Sequence, residues 1–266
     1  MQNKLTQLQK NIAASKGAVV AYSGGVDSTF LAWVAHRILR DKVLMVTAIS
    51  PLHPRSEQEF SIELAKQFCF PQQVIRTNEL EDKLFIANPP QRCYYCKKAF
   101  FSTLKKIAAE KGFTDVFDGT NYDDLTDFRP GMQAAKELGI KSPLAQVKLT
   151  KAEIRSLSKQ YNLPTWDKPS FACLASRIPY GEQITAEKLA RVEQAELFLR
   201  TLSLKQLRVR CHGNLARVEV IPAEHSKILA AAAEINAYFK KLGFLYVTLD
   251  LQGYRTGSMN EQLENF

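Results

Sequence analysis

Ser23-Gly24-Gly25-Val26-Asp27-Ser28, set directly after the apolar run Ala18-Val19-Val20-Ala21, constrains this chain more than any other stretch. A buried strand runs into a tight glycine turn. Phe30, Leu31, Val34, Ala35, Ile38 and Leu39 then recur at helical spacing. Gly24 and Gly25 let the backbone come close to a ligand, and Ser28 stands at the incoming helix N-terminus. The N–H groups left unsatisfied there, together with the helix dipole, favour a phosphate. The order differs from the G-x-x-x-x-G-K-S/T phosphate loop and from the dinucleotide G-x-G-x-x-G. The plain alternative is an ordinary strand–turn–helix corner that happens to be rich in glycine.

Strands are expected at Ala18–Ala21, Val43–Ala48, Gln73–Arg76 and Val116–Gly119, with helices at Ser28–Arg40, Pro54–Phe68 and Tyr95–Lys111. Strands alternating with helices imply an α/β fold, a parallel sheet with helices on both faces. Ligands of such sheets sit beyond the carboxyl ends of the strands, where Ser23, Ile49-Ser50 and Thr120-Asn121 fall. A further helix is expected after Thr150, with Glu153 completing a capping box. From Asn162 to Gly181 the period is lost in a long loop carrying Trp166, Phe171 and Tyr180. A new pattern follows: a helix over Ala186–Leu202, a hairpin of Gln206–Arg210 and Ala216–Ile221 turning at His212-Gly213-Asn214, a helix over Ala223–Leu242 and a strand at Phe244–Leu249. The 266 residues thus read as a larger domain, 1–181, and a small α+β domain, 182–266.

No run approaches the ~20 apolar residues of a membrane span. Met1–Lys16 is polar and mildly amphipathic, a helix rather than an export signal. An odd number of cysteines, 5, argues against a disulfide framework and for a reducing, cytoplasmic setting. The net charge of +9 favours polyanionic ligands. The basic residues are dispersed without a block of five, so no nucleic-acid tail is indicated.

Gly119-Thr120-Asn121-Tyr122-Asp123-Asp124 follows a strand and places small and polar groups at the nucleotide end of the sheet, where Asp124 can meet ribose or a magnesium ion; an Asx-rich turn is the simpler reading. Cys93-Tyr94-Tyr95-Cys96 is a C-x-x-C pair in a basic setting, open to redox, zinc or iron–sulfur use. Cys173, in the irregular loop, can meet that pair above the nucleotide, and three thiolates can hold a 4Fe–4S cluster with one iron open to exogenous sulfide. Cys173 can equally be a small buried hydrophobe, the reading given to Cys69 and Cys211 as well. Arg92, Lys97 and Arg177 are cations suited to lowering a thiol pKa, and a thiolate is the nucleophile that would capture an activated acyl group. Lys148 and Lys168 read as solvated charges within reach of a phosphate. Arg208-Val209-Arg210 puts two guanidiniums on one strand face, with Glu219 across the hairpin as a partner. Arg255 and Ser258, in Gly253-Tyr254-Arg255-Thr256-Gly257-Ser258, offer further phosphate donors.

The loop Ser23–Ser28 resembles the PP-loop of the N-type ATP pyrophosphatases. Together with R-C-Y-Y-C-K, D-G-T-N-Y-D-D, D-F-R-P-G, P-S-F-A-C-L-A-S-R, R-V-R-C-H and G-Y-R-T-G-S, it makes the whole chain similar to the ATP-dependent sulfur-insertion enzymes of nickel-pincer cofactor synthesis, the LarE family that serves lactate racemase maturation. The resemblance implies adenylation of the carboxylates of pyridinium-3,5-biscarboxylic acid mononucleotide and their conversion to thiocarboxylates. It assigns ATP and Mg2+ to Ser23, Gly24, Gly25, Val26, Asp27, Ser28, Gly119, Thr120, Asn121 and Asp124. It assigns a 4Fe–4S cluster carrying sulfide to Cys93, Cys96 and Cys173, and the reacting site to Cys173, Ser176 and Arg177. The substrate mononucleotide falls to Arg208, Arg210, Glu219, Arg255 and Ser258. A homo-oligomer, trimer or hexamer, is implied as well. Members without the C-x-x-C sacrifice the sulfur of the cysteine at the position of Cys173. A tRNA thiolase and a nucleotide-sensing module are the competing readings; the first would use the positive charge, the second would leave the cysteines without a purpose.

Overall fold

Leu5, Leu8 and Ile12 recur at helical spacing and are buried along one side of α1 (Gln2–Ala13). The structure, a computed structural model, describes residues 1–126, 130–169, 172–255 and 257–262. After α1 come β1 (Ala18–Ala21), α2 (Val26–Leu39), β2 (Val43–Ile49), α3 (Arg55–Gln67), β3 (Gln72–Arg76), α4 (Lys83–Ile86), α5 (Arg92–Glu110), β4 (Asp115–Phe117), α6 (Pro130–Glu137), α7 (Pro143–Gln146), α8 (Lys151–Gln160), α9 (Ala186–Arg200), β5 (Leu207–His212), β6 (Leu215–Val220), α10 (His225–Ala230), α11 (Ala232–Lys241) and β7 (Tyr246–Leu249). They form two units, Met1–Asn78 with Gln91–Phe171, and Glu79–Pro90 with Ala172–Phe266.

In the first unit a parallel sheet has the order β3-β2-β1-β4. Alternate residues of β1 point to opposite faces, and both faces are buried. Ala18 and Val20 join Phe30, Leu31 and Val34 of α2, the apolar side of α1, and Ile154 and Leu157 of α8. Val19 joins Val46 and Val116 against Phe101, Leu104 and Ile107 of α5. The expected capping box is present: Thr150 accepts from the Glu153 N–H, and the Glu153 carboxylate accepts from the Thr150 N–H. β4 ends at Phe117 rather than at Gly119, because the Asp118 N–H turns to the carbonyl of Lys141 at 2.9 Å. α5 starts at Arg92 rather than at Tyr95, so both thiols of the C-x-x-C lie inside the helix.

In the second unit β5 and β6 form the hairpin, and β7 joins β6 in parallel. The helix expected over Ala223–Leu242 is a 3-10 turn at Pro222–Glu224 followed by α10 and α11, broken at Ala231 with ψ 12°. The strand expected from Phe244 starts at Tyr246. The division of the chain falls ten residues ahead of the expected Gly181, and Glu79–Pro90 belongs with the C-terminal part. Hydrogen bonds explain why. The Ile184 N–H donates to the Ile86 carbonyl and the Gly181 N–H to that of Asn88, both at 2.9 Å. The buried Asn88 amide donates to the carbonyls of Ile178 (3.2 Å), Pro179 (2.6 Å) and Glu182 (2.9 Å). Among the described residues no helix is long and apolar enough to cross a membrane.

Candidate active site

β1 has β2 on one side and β4 on the other, so the loops after β1 and β4 flank the point where the strand order reverses. The loop after β1 is Ser23–Ser28. Gly24 has φ +69°, and a Cβ there would stand 2.8 Å from Ser61 Cβ and 2.9 Å from Ser61 Cα. Only glycine allows this approach to α3. Gly25 is the N-cap of α2 and brings no side chain to cap it. The first amides of a 14-residue helix are therefore left to an incoming anion. The hydroxyls of Ser23 and Ser28 lie 3.0 Å apart, and Ser28 Oγ also donates to the Gly25 carbonyl at 3.3 Å. Gly119 closes on the same helix end: a Cβ there would be 3.1 Å from the Ser28 nitrogen.

Asp27, in the first turn of α2, gives one carboxylate oxygen to the Lys151 ammonium. Its other oxygen, Oδ1, is buried without a hydrogen bond. Burial pushes the Asp27 carboxyl above the usual range and Asp124 adds to the rise, while Lys151 and then the Asn121 side chain draw it back in part. The loop after β4 is held by its own side chains. Asp118 accepts from the N–H (3.2 Å) and hydroxyl (2.9 Å) of Thr120. Asn121 Oδ1 accepts from the N–H groups of Asp123 and Asp124, and Asp124 accepts from the Asn121 N–H at 3.0 Å. Lys151 clasps both loops, since its N–H donates to Asp123 at 2.8 Å. Free helix amides, hydroxyls and an oxygen-only carboxylate donor beside a cation suit a polyphosphate and a hard divalent ion.

Lys168, expected to be a solvated charge, is largely buried at this loop. Its ammonium lies 2.9 Å from Glu57, 3.2 Å from the Gly24 carbonyl and 3.7 Å from the ring centre of Phe60. Lys148 is exposed, in accord with its expected role.

In the second unit the alternation of β5 does put Arg208 and Arg210 on one face, but that face is buried. A plain solvated strand face, the simpler reading of that alternation, is thereby excluded. Arg210 meets Glu219 with two bonds (3.0 and 2.8 Å) and donates to Ser258 Oγ (2.8 Å) and the Ser176 carbonyl (2.9 Å). Arg177 is wholly buried and meets Glu196 of α9 with two bonds (2.8 and 2.9 Å). Its remaining nitrogen donates to the carbonyls of Ala172 (2.7 Å) and Cys173 (3.0 Å) and to Ser176 Oγ (3.0 Å). Arg208 packs 5.2 Å from the ring centre of Tyr254. Burial, and then the charge of Arg177, push the Arg208 pKa down to about 10. Arg177 pairs with Glu196 and Arg210 with Glu219, both carboxylates buried; Arg200 (3.8 Å) and Arg217 (3.1 Å) approach the same two, and Arg208 is buried beside them, a concentration of guanidiniums that suits an anion. Arg255 pairs with Asp250 and Glu261, and Arg217 links Asp250 to Glu219.

Cys93 and Cys96 are half-buried one turn apart on α5, and Cys173, also half-buried, opens the 3-10 turn Leu174–Arg177 in the second unit. No disulfide joins the five cysteines. Among the described residues no three His, Cys, Asp or Glu side chains are gathered as a metal ion requires. Asp127, Phe128 and Arg129 of the D-F-R-P-G motif, Ser170, Phe171 and Thr256 lie outside the described residues. Sequence reasoning passed over Lys151, Glu196, Asp118 and Asn88. Only Lys151 carried a signal, its place directly after the capping Thr150.

A PP-loop domain family matches residues 1–84. The chain is 44% identical over 265 residues to an uncharacterized protein of Synechocystis, with 99% of each chain covered. It is 38% identical over 245 residues to a pyridinium-3,5-bisthiocarboxylic acid mononucleotide synthase of Lactiplantibacillus plantarum, covering 92% of this chain and 89% of that one. An uncharacterized protein of Methanocaldococcus jannaschii is 35% identical over 256 residues, 95% of this chain and 98% of its own.

Proposed function

The chain belongs to the family of the pyridinium-3,5-bisthiocarboxylic acid mononucleotide synthases, and from that membership we propose that it is an ATP-dependent sulfurtransferase acting on the corresponding dicarboxylate mononucleotide. The observation that carries the reading is the uncapped start of α2 with the orphaned Asp27 Oδ1 beside Lys151. The helix amides and Ser23 and Ser28 take the phosphates, and Lys151 partly offsets the burial that raises the Asp27 carboxyl. A carboxylate oxygen of the substrate attacks the α-phosphorus of ATP. The α–β bridge breaks, pyrophosphate leaves, and an acyl-adenylate forms. Sulfide sulfur then attacks the acyl carbon, AMP leaves with the original oxygen, and one proton is released. Repetition on the second carboxylate completes the bisthiocarboxylate. The excess positive charge around Arg208 and Arg210 suits the substrate phosphate, with Glu219 and Ser258 fixing the Arg210 fork.

An unpartnered, buried carboxylate oxygen fits Mg2+, and Asp27 would hold it with Asp124, screening the phosphate charge. Cys93 and Cys96, thiols outside any disulfide one helical turn apart, suit two positions of an iron–sulfur donor set, and Cys173 is a third such thiol. Cys93, Cys96 and Cys173 would hold a 4Fe–4S cluster, which supplies an iron to which exogenous sulfide binds. Arg177 fixes the backbone of Cys173 through its carbonyl.

A second reading rests on Cys173 alone, whose half-buried thiol is outside any disulfide. Its own sulfur would then be transferred, the Cβ–Sγ bond breaking to leave dehydroalanine. Anaerobic purification with iron and sulfide analysis separates the two. Iron in the wild type, lost in Cys93→Ala, Cys96→Ala and Cys173→Ala alike, supports the cluster. Iron-free wild type whose Cys173 loses one sulfur and two hydrogens on turnover supports sacrifice. Absence of pyrophosphate release with ATP, sulfide and the dicarboxylate overturns both.

A further inference from the structure

Lys168 carries a largely buried ammonium to the backbone of the glycine loop, where it pairs with Glu57 and touches the Gly24 carbonyl. Its backbone is fixed from α8: Arg155 donates to the carbonyls of Trp166 (2.8 Å) and Lys168 (2.7 Å), and the Lys168 N–H donates to the Thr165 carbonyl at 3.0 Å. From this anchorage the side chain runs over Phe60 and reaches Gly24, leaving it 12% exposed. Burial pushes its pKa below the ordinary lysine value, with Glu57 drawing it back up. Withdrawing an ammonium from water is unfavourable, and Glu57 with the Gly24 carbonyl offsets only part of that cost, since the pKa stays below the ordinary lysine value. The charge has a use if an anion arrives. Glu57 and the Gly24 carbonyl engage two of the three N–H donors of the ammonium. The carbonyl it touches belongs to the loop whose amides face the phosphates.

We infer that Lys168 is a nucleotide-binding residue, its ammonium contacting the pyrophosphate half of bound ATP and thereby favouring ATP over AMP. The inference rests on the reading of Ser23–Ser28 as an ATP loop. Glu57 holds the ammonium in place before the nucleotide arrives and competes with it afterwards.

The test is titration calorimetry of the full chain with ATP, pyrophosphate and AMP in the presence of Mg2+. Lys168→Gln is expected to weaken ATP and pyrophosphate ~10–100-fold, the range of a charge-assisted hydrogen bond, and to leave AMP within about twofold. Lys168→Arg is expected to retain most of the preference. Glu57→Gln, which removes the competitor, is expected to tighten pyrophosphate. Unchanged ATP and pyrophosphate affinity in Lys168→Gln, or a loss shared equally by AMP, overturns the inference, the latter showing a structural role. Should Lys168→Gln fail to fold, Lys168→Met, which keeps the packing over Phe60, decides: ATP and pyrophosphate bound as tightly as in wild type overturns the inference. Wild type that binds neither ATP nor pyrophosphate overturns the ATP reading itself, and this assignment with it.

Discussion

Burial raises the carboxyl pKa of Asp27, and the neighbouring Lys151 ammonium only partly offsets it. An acid whose folded-state pKa lies above its unfolded value favours the protonated native state, so the ionised carboxylate at neutral pH reduces stability. Asp27→Asn is expected to stabilise the protein by about 0.5–2 kcal/mol and to abolish pyrophosphate release, read by urea titration at pH 7 beside a pyrophosphate assay. Lys151→Met removes the cation that lowers the Asp27 pKa. Its acid limb of activity should move to higher pH, and an unmoved limb would show that Asp27 does not titrate there. Glu196 runs the other way. Burial would raise it, but Arg177 and Arg208 hold it below the usual carboxylate range. Its stabilising contribution is complete above the unfolded carboxylate pKa and fades as pH falls through the lower folded value. Glu196→Gln leaves Arg177 buried without its counter-charge and is expected to cost about 3–5 kcal/mol near neutrality, shrinking in acid, measured by denaturant unfolding across pH.

At the scale of elements, what the sequence disclosed was local. The run Ala18–Ala21, the glycine turn and the periodic α2 lie within about twenty residues, so strand, loop and helix are each written in adjacent side chains. The capping box of α8 was legible for the same reason. The partners of those elements were not. Lys151 reaches Asp27 from 124 residues away, and Arg177 meets Glu196 across the break between a 3-10 turn and α9. Alternation correctly put Arg208 and Arg210 on one face of β5 but could not say that α9, the Leu174–Arg177 turn and Ser258 bury it. The same local logic gives a sharp expectation for the loop. Gly24→Ala forces a Cβ into Ser61 at a left-handed backbone position, so the loop must lift from α3. A loss of about 1–3 kcal/mol and of detectable ATP binding is expected, from urea unfolding and nucleotide titration. Gly112→Ala, at a similar φ with nothing within 4 Å of the new Cβ, is the control for backbone strain alone.

The whole molecule is interleaved: Glu79–Pro90 leaves the first unit, completes the second, and the chain then returns as α5. This strap ends three residues before Cys93, and its Asn88 is bonded to carbonyls that begin five residues after Cys173, so the segments flanking the two cysteine motifs are tied within the second unit. Linear reading set a boundary near Gly181 because the period is lost over Asn162–Gly181 and a new pattern begins after Thr185; nothing in Asn88 itself announces its distant partners. Asn88→Ala removes the donor to three carbonyls and should destabilise the second unit by about 2–4 kcal/mol. The probes to separate the units are built in. Both tryptophans, Trp33 and Trp166, belong to the first unit, whereas the backbone of each unit contributes to the far-ultraviolet circular dichroism. In Asn88→Ala the dichroism transition should begin at lower urea while tryptophan fluorescence keeps its midpoint, and ATP should still raise that midpoint. Fluorescence and dichroism shifting together would show that the strap couples the two units into one cooperative structure rather than stabilising the second alone.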